Sequence, residues 1–262
     1  MKPDCTRCDN TGLKDYAGFG MDPCECRLPA HALPAPVIIG PATLYLGDAY
    51  TIRPALGWMD ADVMDPPYDF DCSGGGKFRA ERQAWNQIRE EGLDQGFDRS
   101  IINPLLTGAM VVFCHNDQLP ELLRDLTGLF HRFCLQTWIK PNPAPMRNKH
   151  YLADTELFIH AWSRGFHPVG DHHDMHRWHT ANTMPSKIWG HPTVKPISLM
   201  EKILRNISGR TVCDPFMGTG TTGIAALRTG KSFIGIERNP AHFETAVRRI
   251  TEEWARIQQE AP

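Results

Sequence analysis

Thr211-Val212-Cys213-Asp214-Pro215-Phe216-Met217-Gly218-Thr219-Gly220-Thr221-Thr222-Gly223 reads as a strand, a glycine turn and the opening of a helix. Gly218, Gly220 and Gly223 satisfy G-x-G-x-x-G between the two elements. Ser232-Phe233-Ile234-Gly235-Ile236 is the next strand, and it ends in Glu237, where a carboxylate can hold two ribose hydroxyls. Taken alone, the turn permits NAD, FAD or an S-adenosyl cofactor. Three features separate them. Gly223 is followed by Ile224 and Ala225, with no Lys at the P-loop position, which argues against a nucleoside triphosphatase. Only 39 residues follow Gly223, too few to finish a dinucleotide-binding sheet, so the remaining strands lie upstream. Asp214 can pair with a cationic amino group, which suits an amino-acid nucleoside with a sulfonium better than a diphosphate.

Upstream, Ala61-Asp62-Val63-Met64 reads as the end of a buried strand, followed by Asp65-Pro66-Pro67-Tyr68. Two prolines stop the ladder, because neither has an N–H and each fixes φ. The chain must leave the sheet there and present Asp65 and Tyr68 at the carboxyl edge, where open α/β sheets bind ligands. A planar heterocycle with an exocyclic NH2 fits this set. Asp65 and the Pro66 carbonyl each accept one N–H, and Tyr68 stacks on the ring. The plainer reading is a strand-ending turn with a chance Asp.

The spacing of apolar residues predicts strands at 37–39, 43–46, 110–114, 133–139 and 155–162, and helices at 119–130, 197–207 and 241–257. Strand, helix and strand alternate, which predicts a largely parallel sheet. Asp48 follows a strand near the same edge, as a ligand acceptor or as an ordinary helix cap. Ser73-Gly74-Gly75-Gly76 would let a lid move, and 79–91 is helix-compatible. Residues 163–190 fit neither period and hold the crowded cluster His172-His173-Asp174-x-His176-x-x-His179, read as a polar recognition loop rather than a metal site.

With 262 residues, 41% of them hydrophobic, the chain suits one α/β domain with an appendage. No apolar run is long enough to span a membrane, and the start does not read as a signal peptide, so a cytoplasmic location is expected. The appendage is cysteine-rich: Cys5-x-x-Cys8 and Cys24-x-Cys26 can close a tetrahedral zinc site that a segment this small would need. The net charge of −2 excludes a polycation, so any nucleic-acid contact must be local. From His131 to Lys195, eight Lys/Arg face four acids, with four of the seven Trp in the same stretch. Lys140, Arg147, Lys149, Arg164, Arg177, Trp178 and Lys187 are the candidates there for phosphate contact and base stacking.

In order, Gly47-Asp48, Asp65-Pro66-Pro67-Tyr68, His191-Pro192-Thr193-x-Lys195-Pro196, Asp214-Pro215-Phe216-x-Gly218-x-Gly220-Thr221-Thr222 and Gly235-Ile236-Glu237 resemble the DNA amino-methyltransferases in which the catalytic motif precedes the cofactor motif. The likeness runs from about Leu44 to Ile250. It implies a Rossmann-like, S-adenosylmethionine-dependent α/β methyltransferase fold, a mostly parallel sheet with helices on both faces. The cofactor would lie on Asp214, Pro215, Phe216, Gly218, Thr219, Gly220, Thr221, Thr222, Glu237 and Asn239, with Asp48 near its adenine and Lys195 flanking its methionine end. Asp65, Pro66, Pro67 and Tyr68 would act on adenine N6 flipped from double-stranded DNA, by direct transfer. N4 of cytosine is the alternative. A nicotinamide oxidoreductase and a non-catalytic nucleic-acid binder are the more distant ones. Members of this family are often dimers, so a homodimer is the assembly the resemblance allows. The expected division is a zinc module at 1–34, a catalytic half at 35–162, a recognition region at 163–190 and a cofactor half at 191–262.

Overall fold

The computed structural model describes residues 13–15, 21–23, 33–69, 96–143, 151–183 and 194–260. Near the amino terminus, β1 (Leu13–Asp15) and β2 (Met21–Pro23) pair antiparallel, Leu13 opposite Pro23. The other strands are β3 (Val37–Ile39), β4 (Ala42–Leu46), β5 (Met59–Met64), β6 (Thr107–Cys114), β7 (Arg132–Ile139), β8 (Thr155–Trp162), β9 (Trp178–Thr180), β10 (Thr211–Asp214) and β11 (Ser232–Glu237). They form one sheet in the order β3-β4-β11-β10-β5-β6-β8-β7-β9. From β4 to β6 all neighbours are parallel. Their carboxyl ends therefore share one edge.

The sheet is largely parallel, as expected, with β3 and β8 as the two strands that run against the rest. β3 is antiparallel to β4, and β8 is antiparallel to both β6 and β7. An apolar run marks a strand but carries no sign of its direction, so sequence pattern cannot show this reversal. Its consequence is large. Because β8 runs backwards, it begins at the carboxyl edge with Thr155 and Glu156 and leaves at the opposite edge.

β6 is buried along its whole length. Its side chains alternate between faces, as the strand period requires. Ala109, Val111 and Phe113 join one core, Met110, Val112 and Cys114 the other. The first core is covered by α3 (Ile197–Arg205), α4 (Thr221–Arg228) and α5 (Pro240–Glu260), through residues such as Leu199, Ile224, Phe243 and Ile250. The second is covered by the single turn α1 (Ala49–Ile52) and by α2 (Leu119–Leu129), through Ile52, Leu122 and Leu126.

Two polar ties fix β5, the strand that carries the proline turn. Arg53 and Asp62 are both fully buried and paired at 2.9 Å, and Arg53 also donates to the carbonyls of Gly57 and Leu106. Asp60 accepts from the Thr211 and Arg210 amides, each at 2.8 Å, which anchors the start of β10 beside β5. Val212 then lies opposite Ala61 and Cys213 opposite Asp62.

Residues 163–177 do not form a loop at the binding edge. They follow β8 to the far side, where Asp174 accepts from Arg205 at 2.7 Å and Lys202 donates to the His176 carbonyl. The chain returns to the carboxyl edge along β9, parallel to β7. Among the described residues no group of three or more His, Cys, Asp and Glu is set to hold a metal ion. Among the same residues, no helix is long and apolar enough to cross a membrane.

Candidate active site

At the carboxyl edge the two glycine- and proline-bearing turns open into one cleft of about 860 Å³. That is within the range of small-ligand and cofactor sites, roughly 300–1,000 Å³. Asp65, Pro66, Pro67 and Tyr68 line one part of it, and Asp214 to Thr219, Thr221, Thr222 and Glu237 line another. The neighbouring strands β5 and β10 end side by side, which brings together residues about 150 positions apart.

In the β5 turn, Asp65 is engaged by side chains from distant elements. Lys195, just before α3, places Nζ 2.5 Å from Asp65 Oδ2 and 2.7 Å from Glu156 Oε1. The Tyr68 hydroxyl is 2.6 Å from Glu156 Oε1 and 3.0 Å from Asp65 Oδ1. Lys140, at the end of β7, holds the other Glu156 oxygen at 2.8 Å. Burial is the largest influence on both carboxyls and pushes both up. In Asp65 it prevails, and the group lies above the ordinary carboxylate range in spite of Lys195. In Glu156 the two lysines outweigh it and pull the group down to about 2. Burial pushes the Lys195 ammonium down, but the two carboxylates overcome it and keep the ammonium charged. Burial and both acids raise the Tyr68 phenol, so it remains a donor.

In the β10 turn, Asp214 Oδ1 accepts from the Phe216 amide at 3.0 Å and Oδ2 from the Thr222 hydroxyl at 2.5 Å. Burial lifts this carboxyl to about 7, against those two hydrogen bonds. Gly220 has φ +85°, and a Cβ there would lie 3.1 Å from the Ala246 backbone, so the turn and α5 approach at backbone distance. Arg249 reaches back from α5 to the Thr219 carbonyl at 2.6 Å and its hydroxyl at 2.9 Å. Glu237 accepts from the Gly218 amide at 2.8 Å and the Asn239 amide at 2.7 Å, so it braces the turn as well as lining the cleft.

Several of the sequence candidates make contacts that the sequence did not show. Lys195 lines the cleft and touches Asp65 and Glu156. Asp48 caps α1, accepting from the Tyr50 amide at 3.4 Å and the Thr51 hydroxyl at 3.1 Å, and still lines the cleft. Asn239 caps the start of α5, accepting from the Ala241 amide at 2.9 Å, and lines the cleft too. Tyr50 and Phe97 pack edge-on against Phe216, with centroids 6.2 and 6.1 Å away, forming an aromatic wall that periodicity could not reveal. Glu156 was also hidden, as the one acid at the start of a mostly apolar strand.

Of the basic candidates, Lys140 reaches the site through Glu156. Arg164 is exposed just past the end of β8, at the edge opposite the cleft, because that strand runs antiparallel. Arg177 and Trp178 stand at the start of β9 and are exposed. Arg147, Lys149 and Lys187 lie outside the described residues, as do Cys5, Cys8, Cys24 and Cys26, the glycine run 73–76 and His191 to Thr193.

A parallel-centred sheet with a glycine turn and an acid-ended strand on one side of a cleft, and a proline-stiffened carboxylate on the other, defines a group-transfer site for a nucleoside-containing cofactor. The chain belongs to the DNA methylase family, whose model matches residues 106–248. It is 27% identical over 226 residues to the type II methyltransferase M2.DpnII of Streptococcus pneumoniae, spanning 74% of this chain and 83% of that protein. To M2.LlaDCHI of Lactococcus lactis subsp. cremoris it is 26% identical over 223 residues, 73% of this chain and 82% of the other. Among solved structures, the M1.HpyAVI–SAM complex superposes with a TM-score of 0.59 at 25% identity, covering 80% of this chain and 99% of that one.

Proposed function

We propose that this chain transfers the methyl group of S-adenosylmethionine to N6 of an adenine flipped out of double-stranded DNA. The observation that carries the reading is the opening of the Asp65 turn and the Asp214–Glu237 cradle into one cleft. Glu237 would take the ribose hydroxyls and the Phe216 wall the adenine of the cofactor. Asp214 would take its amino group.

The amine lone pair of adenine is delocalised into the ring and is a poor nucleophile. Asp65 and the Pro66 carbonyl would each accept one of its hydrogens, draw the nitrogen toward sp³ and aim the lone pair at the methyl carbon. Positioning and electrostatics supply most of the acceleration. Unstacking the base costs a few kcal/mol, partly offset by contact with Tyr68. Lys140, Arg177 and Trp178, with Arg147, Lys149 and Lys187, are the proposed backbone contacts. Arg147, Lys149 and Lys187 lie outside the described residues, and Arg164 stands at the edge opposite the cleft.

The test is transfer of labelled methyl from S-adenosylmethionine to DNA, with the product nucleosides resolved by mass spectrometry. N6-methyladenine is expected, and Asp65→Ala should abolish it. N4-methylcytosine would replace the adenine assignment, and no transfer would end the proposal. Cys5, Cys8, Cys24 and Cys26 are proposed to bind one structural zinc. Metal analysis of the purified protein should give one zinc per chain, and none would remove that module.

A further inference from the structure

We infer that Glu156 is a positioning residue for methyl transfer, receiving the Lys195 ammonium as Asp65 takes up the proton that the methylated amine must lose. The inference rests on the reading of Asp65 as the group that accepts from the target amine.

The geometry leaves Asp65 with a difficulty. Its carboxylate must accept an N–H of the target, yet Lys195 already sits 2.5 Å from Oδ2. An ammonium held there weakens the acceptor and places positive charge beside a nitrogen that becomes positive as it bonds to the methyl group. Glu156 resolves both problems. Its Oε1 is 2.7 Å from the same ammonium, so Lys195 can shift between carboxylates with almost no movement of its stem. The Tyr68 hydroxyl lies between the same two carboxylates, 2.6 Å from Glu156 Oε1 and 3.0 Å from Asp65 Oδ1, and its one proton can support either.

The charges balance through the step. The nitrogen lone pair forms the N–C bond, and the S–C pair leaves with sulfur, so the sulfonium becomes a neutral thioether. The methylated nitrogen then carries the positive charge. One N–H bond breaks, its electrons stay on nitrogen, and the proton joins the Asp65 carboxylate. Asp65 is now neutral, and Lys195 must find its counter-ion elsewhere. Glu156 is the anion in contact, and it stays ionised because Lys195 and Lys140 together hold it. Two carboxyls driven apart in proton affinity mark separate roles, one exchanging a proton and one keeping its charge. The groups facing Asp65 from the surrounding elements are Lys195, Tyr68, Glu156 and, across the cleft, Asp214; Lys140 acts through Glu156.

The experiment uses the full chain with a DNA substrate and S-adenosylmethionine, comparing wild type, Glu156→Gln and Lys140→Met across pH 5 to 9. Wild-type transfer is read first, so a failure of the adenine reading shows there, before either variant. For Glu156→Gln the expected result is a fall in kcat of roughly tenfold to a hundredfold, with KM for DNA and affinity for S-adenosylhomocysteine kept within about twofold. Its acid limb should move to lower pH, because the negative charge that raised Asp65 is gone. Lys140→Met should move the acid limb the opposite way, since Glu156 then draws Lys195 more strongly. Wild-type kcat in Glu156→Gln would overturn the inference, as would acid limbs that stay fixed or move together in the two variants.

Discussion

The Lys195 ammonium lies 2.5 Å from the Asp65 carboxylate, and 130 residues of chain separate the two. The resemblance implies that Lys195 flanks the cofactor, whereas its contact is with Asp65, the proposed acceptor of the amine. The two assignments predict different losses. Lys195→Met should lower kcat sharply and leave the affinity for S-adenosylhomocysteine within about twofold, since no contact to the glycine turn is lost. Calorimetry and steady-state rates on the same preparation separate the outcomes. A large loss of cofactor affinity with kcat retained would return Lys195 to the cofactor.

Asp214 predicts a pH dependence of cofactor binding. Burial raises its carboxyl to about 7 in the empty cleft, and an ammonium partner requires the ionised form. Affinity should therefore be flat well above pH 7 and fall about tenfold for each unit below it. Asp214→Asn should bind weakly with no such slope. Titration calorimetry with S-adenosylhomocysteine between pH 5.5 and 8.5 checks both, and a slope that persists in Asp214→Asn would assign the dependence to another group.

The buried Arg53–Asp62 pair predicts a stability effect away from the cleft. Removing one partner leaves a buried charge uncompensated, a cost of about 3–5 kcal/mol. Arg53→Met should lower the urea midpoint accordingly. Arg53→Met with Asp62→Leu should recover much of the loss, because the stranded charge is gone. If the double variant were as unstable as the single one, the Arg53 hydrogen bonds to Gly57 and Leu106 would be the larger contribution.

His160 predicts acid sensitivity. It is buried on β8 beside Trp162, and its Nε2 has no hydrogen-bond partner among the described residues. Burial lowers the ring to about 4. Between that value and about 6.5, where an exposed histidine titrates, the unfolded chain binds the proton and the folded chain does not. Stability is therefore present above pH 6.5 and falls by about 1.4 kcal/mol per unit as pH drops toward 4. Denaturant melts of wild type and His160→Phe over that range should show a shallower slope in the variant.

The parts of the site that were legible in sequence are those written in backbone chemistry. Two prolines after Met64 had to end a strand, and the glycines after Asp214 had to turn into a helix; both did so at one edge. The parts that were not legible depend on strand direction and tertiary contact. Arg164 looked suited to DNA by composition, but the antiparallel course of β8 carries it away. Glu156 and Lys140 lay far from either motif in sequence, and the ends of β7 and β8 bring them to Asp65. Asp48 was readable as a ligand or a cap and Asn239 as a ligand, and local amide geometry makes both of them caps that border the cleft.

Because β5 pairs with β10, the first half of the reaction centre leaves the ribosome long before its neighbour has been translated. An unfinished chain that stops short of Thr211 holds the Asp65 turn without the glycine turn that forms the other wall of the cleft, so the cleft exists only in a chain translated past that point. The toll falls on assembly, since so distant a pairing closes slowly and leaves apolar strands waiting for their partners.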